Sequence, residues 1–131
     1  MEQKFINIGD KTYNCRIAKT EEEKRKGLMG IEFLPMDEGI LFVWPDEDTR
    51  KMWMKDTHIS LDQIAINADD EVTMVYPAKP EDDTLVSFIG AKYILEVNQN
   101  SGIKVGDDFE IDDSDDPNKY IMKVIGSDGG T

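Results

Sequence analysis

The apolar residues of this chain fall in short runs, alternating or continuous, broken by Gly, Pro, Asn and Asp, and that pattern restricts it to a fold built mostly from strands. In Tyr13-Asn14-Cys15-Arg16-Ile17 every second side chain is apolar, as in a strand with one buried face. Phe5-Ile6-Asn7-Ile8 leads into it through Gly9-Asp10, so the two runs predict a β-hairpin. Ile40-Leu41-Phe42-Val43-Trp44 is continuously apolar and short enough to be a strand buried on both faces. Val72, Met74 and Tyr76 alternate as a further strand with one apolar face. Val86 to Ile89 and Tyr93 to Val97 read as two more, Ile103-Lys104-Val105 runs into a Gly106-Asp107 turn, and Tyr120 to Ile125 reads as a last strand.

The period changes once. Thr20 with Glu23 makes a capping box, three glutamates occupy the positive end of the turn, and Lys24, Arg25 and Lys26 follow. Glu21 with Arg25 and Glu22 with Lys26 stand at helical spacing, and Gly27 or Gly30 ends the element. Its charges read as a solvated face, with Leu28 and Met29 as anchors to the core. The expected fold is therefore mainly β, at the margin of α+β: a compact antiparallel barrel or sandwich with one short helix near residues 20–29. The chain is 131 residues long with no internal repeat or dividing linker, so one globular domain over 1–126 is expected, followed by a disordered tail over 127–131.

Charge narrows the function classes. Lysine and arginine number 15 and acids 28, a formal net charge of −13. A field of that sign repels phosphate backbones and anionic bilayers, which disfavours direct nucleic-acid binding and a membrane partner and leaves open a basic protein, a cation or a cationic substrate. No run reaches the roughly 20 apolar residues that span a bilayer, and no leader pattern precedes the first strand, so a cytoplasmic location is expected. The single cysteine, Cys15, excludes an intrachain disulfide and a thiolate metal cluster, and on the apolar face with Tyr13 and Ile17 it reads as a small core residue.

Polar groups are densest between Met52 and Ile66. Ile59 and Leu61 share one parity and Ile64 and Ile66 the other, which predicts a bulge or bend at Asp62-Gln63 that re-aims side chains. Trp53, Lys55, Asp56, Thr57 and Asp62 are the candidate ligand-binding residues of this block, with Glu96 and Asp107 as distant residues that converge on it. An aromatic face, a lysine and carboxylates together suit a polar small molecule. The structural alternative is that Trp53 and Met54 are core, Thr57 a turn hydroxyl, and Asp62 a carboxylate satisfying backbone N–H groups.

Other chemistries fit less well. His58 is the lone histidine and would have to serve any triad, yet Ser60 has no nucleophile-elbow glycines around it, so His58 reads as an exposed loop residue. The acidic run from Asp107 to Asp116 lacks the glycine and closing glutamate of a calcium loop and reads as solvated. No cofactor or metal is called for.

A series of motifs carries a family resemblance: Gly27-Leu28-Met29-Gly30, Leu34-Pro35, Gly39-Ile40-Leu41-Phe42, Trp53-Met54-Lys55-Asp56-Thr57, Leu61-Asp62, Tyr93 to Val97, and Gly102-Ile103-Lys104-Val105-Gly106-Asp107. Together they resemble the bacterial and archaeal family catalogued as domain of unknown function 192, over roughly residues 12 to 111. The resemblance implies a compact, mainly antiparallel β fold with one short helix and implies no reaction. The chain departs from the family pattern in having Asp56 where Asn is favoured, and in a short Val97 to Ser101 segment where relatives carry a longer insertion. The expected function is a small domain that binds a polar molecule through the Trp53 to Asp62 face. An acidic module for a basic protein partner stands second and a hydrolase third.

Overall fold

The computed structural model describes residues 1–113. In chain order the elements are β1 (Glu2–Ile8), β2 (Lys11–Ala18), α1 (Glu21–Lys26), β3 (Glu38–Met52), β4 (Leu61–Ile66), β5 (Val72–Ala78), β6 (Val86–Asn98) and β7 (Phe109–Asp112). The domain is mainly β with one short helix, as expected. The Tyr120 to Ile125 strand and the 127–131 tail lie outside the described residues.

The strands form one sheet in the order β5-β4-β6-β3-β2-β1-β7. Neighbours pair antiparallel except β2 and β3, which run parallel from Asn14↔Glu38 to Ala18↔Phe42. A parallel pair needs a crossover, and α1 with the loop after it supplies one. The sheet curls so far that its two edges approach. Glu71 bridges Asp108, and Val72 N–H donates to the Asp107 carbonyl at 3.0 Å. It is not a closed barrel.

Curling gives the sheet an inner and an outer face, each with its own core. Ile6, Ile8, Tyr13, Cys15, Ile17, Leu41, Ile64, Ile66, Leu95 and Val97 pack inside, where Cys15 is fully buried. Leu28, Leu34, Ile40, Phe42, Met54, Ala65, Phe88 and Ile94 form the outer core, roofed by the segments that follow α1 and β3. Cys15 thus packs with Tyr13 and Ile17, as their shared parity requires.

Three sequence expectations change. The two parities around Asp62-Gln63 do not mark a bend: β4 pairs without a break to β6 from Leu61↔Asn98 to Ile66↔Tyr93, and all six of its residues are buried. A strand covered on both faces needs apolar residues at both parities, which mimics a phase slip. The bulge lies instead in the partner strand, where Ala65 faces Met74 and Ile66 faces Val72, leaving Thr73 unmatched. Val72 therefore joins the inner core while Met74 and Tyr76 pack on the outer one. Finally, Val86 to Ile89 and Tyr93 to Val97 are one strand, continued through Gly90 at φ 64°, opposite a break in β3 where Pro45 cannot donate. Arg50 Nε fills part of that gap by donating to the Ala91 carbonyl at 3.0 Å.

The helix is six residues long. Thr20 Oγ1 accepts from Glu23 N–H at 3.1 Å, and the Glu23 carboxylate accepts from Thr20 N–H at 3.0 Å, the reciprocal pair the sequence announced. Gly27, at φ 46°, ends it. Among the described residues no helix is long and apolar enough to cross a membrane.

Candidate functional site

Directly opposed residues on neighbouring strands send their side chains to the same face, so register alone locates the unusual polar groups. Glu96 faces Ile40 on β3 and Gln63 on β4. Ile40 is outer core, so Glu96 and Gln63 lie on the outer face, within the apolar layer beneath α1. Glu96 is 4% exposed and Gln63 1%. Gln63 Nε2 donates to one Glu96 carboxylate oxygen at 2.8 Å and approaches Met54 Sδ at 3.7 Å. Among the described residues no donor reaches the other carboxylate oxygen. Burial pushes the Glu96 carboxyl up to about 7, and the Gln63 hydrogen bond offsets only part of that.

Glu96 forms part of the wall of a cavity of about 250 Å³ between α1 with its following turn and the outer face of β3. Leu28, Met29, Phe42, Trp44, Met52 and Trp53 give it apolar and aromatic walls, and Thr57 lines it too. Lys24, Arg25, Lys26, Lys51 and Lys55 stand around it, with Glu21 as the other acid. Two of these cations rest on aromatic rings: Lys24 Nζ lies 4.6 Å from the Trp44 ring centre and Lys55 Nζ 5.4 Å from that of Trp53. Arg50 also lies over Trp44 at 4.6 Å, and Phe42 stacks on it with centroids 6.3 Å apart. Lys24 pairs with Glu21 at 3.7 Å, so α1 makes an i,i+3 pair where i,i+4 pairs were expected. Its side chain is only 10% exposed, so this part of the charged helix is not a solvated face.

Of the seven residues singled out in the sequence, the cavity brings together four: Trp53, Lys55, Thr57 and Glu96. Asp62 does not join them. It faces Val97, an inner-core residue, so it leaves β4 on the opposite side from Gln63, where Ser101 donates to it from both N–H at 3.0 Å and Oγ at 2.7 Å. That matches the structural alternative, a buried carboxylate satisfying a backbone N–H. Asp107 serves the tight turn before β7, accepting from Lys104 N–H at 3.0 Å. Asp56 is an exposed turn residue at φ 55°, and its carbonyl accepts from Gly30 N–H at 2.9 Å. Asn tolerates that left-handed backbone best, which explains the family preference there without a role for the side chain in binding.

The sequence reading passed over Gln63, Lys24, Lys51 and Trp44. The available signal was Gln63, a polar residue whose parity in β4 puts it with Leu61 and Ala65 rather than with Asp62. His58 lies outside the cavity lining and pairs through Nδ1 with Glu81 at 2.8 Å, tying two loops together. Among the described residues there is no cluster of metal-ligating side chains.

No curated protein matches the chain. Two solved structures share its fold. A protein of unknown function from Novosphingobium aromaticivorans is 30% identical, with 82% of this chain and 84% of that one aligned at a TM-score of 0.78. A protein from Sinorhizobium meliloti, provisionally described as a transcription regulator, is 22% identical over 84% of this chain and 94% of that one, at a TM-score of 0.80. At that identity the second likeness speaks for the fold alone. The model of the DUF192 family, described as "Uncharacterized ACR", matches residues 4–111, and the chain belongs to that family.

Proposed function

We propose that this domain is a receptor for a small polar molecule, held in the cavity beside α1 rather than on the whole Trp53 to Asp62 face. The observation that carries the reading is Glu96: a carboxylate 4% exposed, in an apolar layer, with one oxygen bonded to Gln63 and the other without a donor among the described residues. Among the described residues no buried side-chain polar atom lacks a partner, so the donor-free oxygen is open to solvent, and a ligand donor entering the cavity can replace water there. The size agrees. About 250 Å³ lies just below the roughly 300–1,000 Å³ of drug-sized pockets, which suits a small metabolite.

The test is a nuclear magnetic resonance screen of polar metabolites against the labelled protein. Binding in the cavity shifts the Trp44 and Trp53 indole signals together with the Gly27, Leu28 and Thr57 amides, all from cavity-lining residues. Shifts confined to the Asp62 and Ser101 side of the sheet, or none across the set, refute the reading. A salt titration separates it from engagement of a basic protein by the acidic surface, because association through exposed charges weakens steeply with ionic strength.

A further inference from the structure

Acids outnumber bases 28 to 15 in this chain, yet around the cavity the ratio inverts to five cations against Glu21 and Glu96. A third of all its positive side chains therefore surround one small space. Among the described residues Arg25, Lys26, Lys51 and Lys55 make no ion pair, and Lys51 and Lys55 are exposed. Their charge is available to an anion. Cations focused at a low-dielectric opening attract anions even when the net charge of the molecule has the opposite sign.

Glu96 is set apart from these cations. It is 4% exposed and among the described residues makes no ion pair, whereas Lys51 and Lys55 are exposed; burial dominates its raised carboxyl and Gln63 opposes it. The lining thus offers two chemically different features, exposed cations and one buried carboxyl, together with an apolar and aromatic wall. A group meeting that carboxyl must donate to the oxygen that Gln63 leaves without a donor, and one that also accepts keeps its bond when the raised carboxyl is protonated. A hydroxyl does so, donating to the carboxylate and accepting from the acid. A carbonyl only accepts, and an ammonium only donates, so each bonds to one protonation state alone.

Resting on the reading above, we infer that the ligand is a small hydroxy acid, with its acid group at Lys51 and Lys55, a compact apolar body against Trp53 and Phe42, and a hydroxyl on the free oxygen of Glu96. 4-Hydroxybenzoate has these three parts in a line. Benzoate lacks the hydroxyl, 4-hydroxybenzyl alcohol lacks the charge, and tyramine reverses it.

The experiment titrates the four probes into the full chain and reads dissociation constants from the Trp44 and Trp53 indole shifts. 4-Hydroxybenzoate is expected to bind about tenfold tighter than either benzoate or the neutral alcohol, the effect of one charge-assisted hydrogen bond or one desolvated ion pair. Tyramine is expected to be weakest. In Glu96→Leu the preference for 4-hydroxybenzoate over benzoate vanishes, while in Lys51→Ala/Lys55→Ala the preference for acid over alcohol vanishes. Glu96→Gln, which keeps a hydrogen-bonding group, retains part of the hydroxyl preference and serves if the leucine variant does not fold. Tighter binding of the alcohol or of tyramine overturns the hydroxy-acid assignment and leaves the cavity reading standing. Silence from all four probes also overturns the assignment, and the wider screen then decides the cavity reading by itself.

Discussion

Replacing Glu96 by Gln removes the titrating proton from the buried pair while leaving an oxygen within reach of the Gln63 amide, which donates to it at 2.8 Å. The magnitude follows from linkage. The carboxyl rises from an ordinary 4.5 in the unfolded chain to about 7 in the folded one, chiefly through burial. The difference is about 2.5 pH units, which at 1.36 kcal/mol each is about 3 kcal/mol. Its sign is fixed, because the folded state holds the proton more tightly: stability is unaffected below the unfolded value, falls as pH rises from 4.5 to about 7, and is level above that. The wild-type protein should lose about 3 kcal/mol across that window beyond what its variant loses. Urea unfolding of both proteins at intervals from about pH 4 to about pH 8 measures this, because the background repulsion among the other acids is common to both and cancels in the difference. Parallel stability curves would show that Glu96 does not titrate in the folded protein as its burial requires, and the account of the site would fail at its central residue.

Asp62→Ala should cost about 1–3 kcal/mol by stranding the Ser101 N–H and Oγ, while probe binding at the cavity stays within about twofold of wild type; chemical denaturation and the indole titration read the two effects separately. Gly39→Ala should destabilise by about 1–3 kcal/mol or prevent folding, because the added Cβ would meet the Glu96 carbonyl oxygen at 2.6 Å and Val97 Cγ1 at 2.8 Å, as a thermal melt would record. Cys15, fully buried with its thiol pushed up to about 12 by burial, should resist a bulky disulfide reagent until the protein unfolds, and rapid native labelling would contradict that packing.

Local chemistry was legible in the sequence wherever a short segment decides its own structure. The capping box at Thr20, the hairpin through Gly9 and the parity of Tyr13, Cys15 and Ile17 all appear as read. What depends on partners was not. Leu61 to Ile66 carries apolar residues at both parities because β5 and β6 flank it and both its faces are covered, a fact of sheet order and not of the segment. The same blindness split the candidate site: Asp62 and Gln63 are adjacent in sequence, but only pairing with Glu96 and Val97 reveals that Gln63 is the one on the outer face beside Glu96. Glu96 is distant in sequence from the block, and the cavity lining brings it together with Trp53, Lys55 and Thr57; Lys24 reads as solvated because a six-residue charged helix gives no sign of the Trp44 beneath it.

The positions of Glu96 and of the cavity cations bear on each other. At Glu96 a leucine would continue the apolar layer made by Ile40, Phe42 and Ile94, and a well-packed apolar group at such a site commonly matches or exceeds the stability of a buried polar pair. Stability therefore gives no reason for the carboxyl. Nor do the neighbouring lysines neutralise it, since among the described residues none makes an ion pair with it. Each departs from what folding alone asks of the sequence, one by burying an acid, the other by gathering a third of the positive charge of an acidic chain at one opening. Folding leaves each unexplained, and a ligand with an acid at one end and a hydroxyl at the other accounts for both, because it gives the cations an anion and the donor-free oxygen of Glu96 a partner in a single binding event.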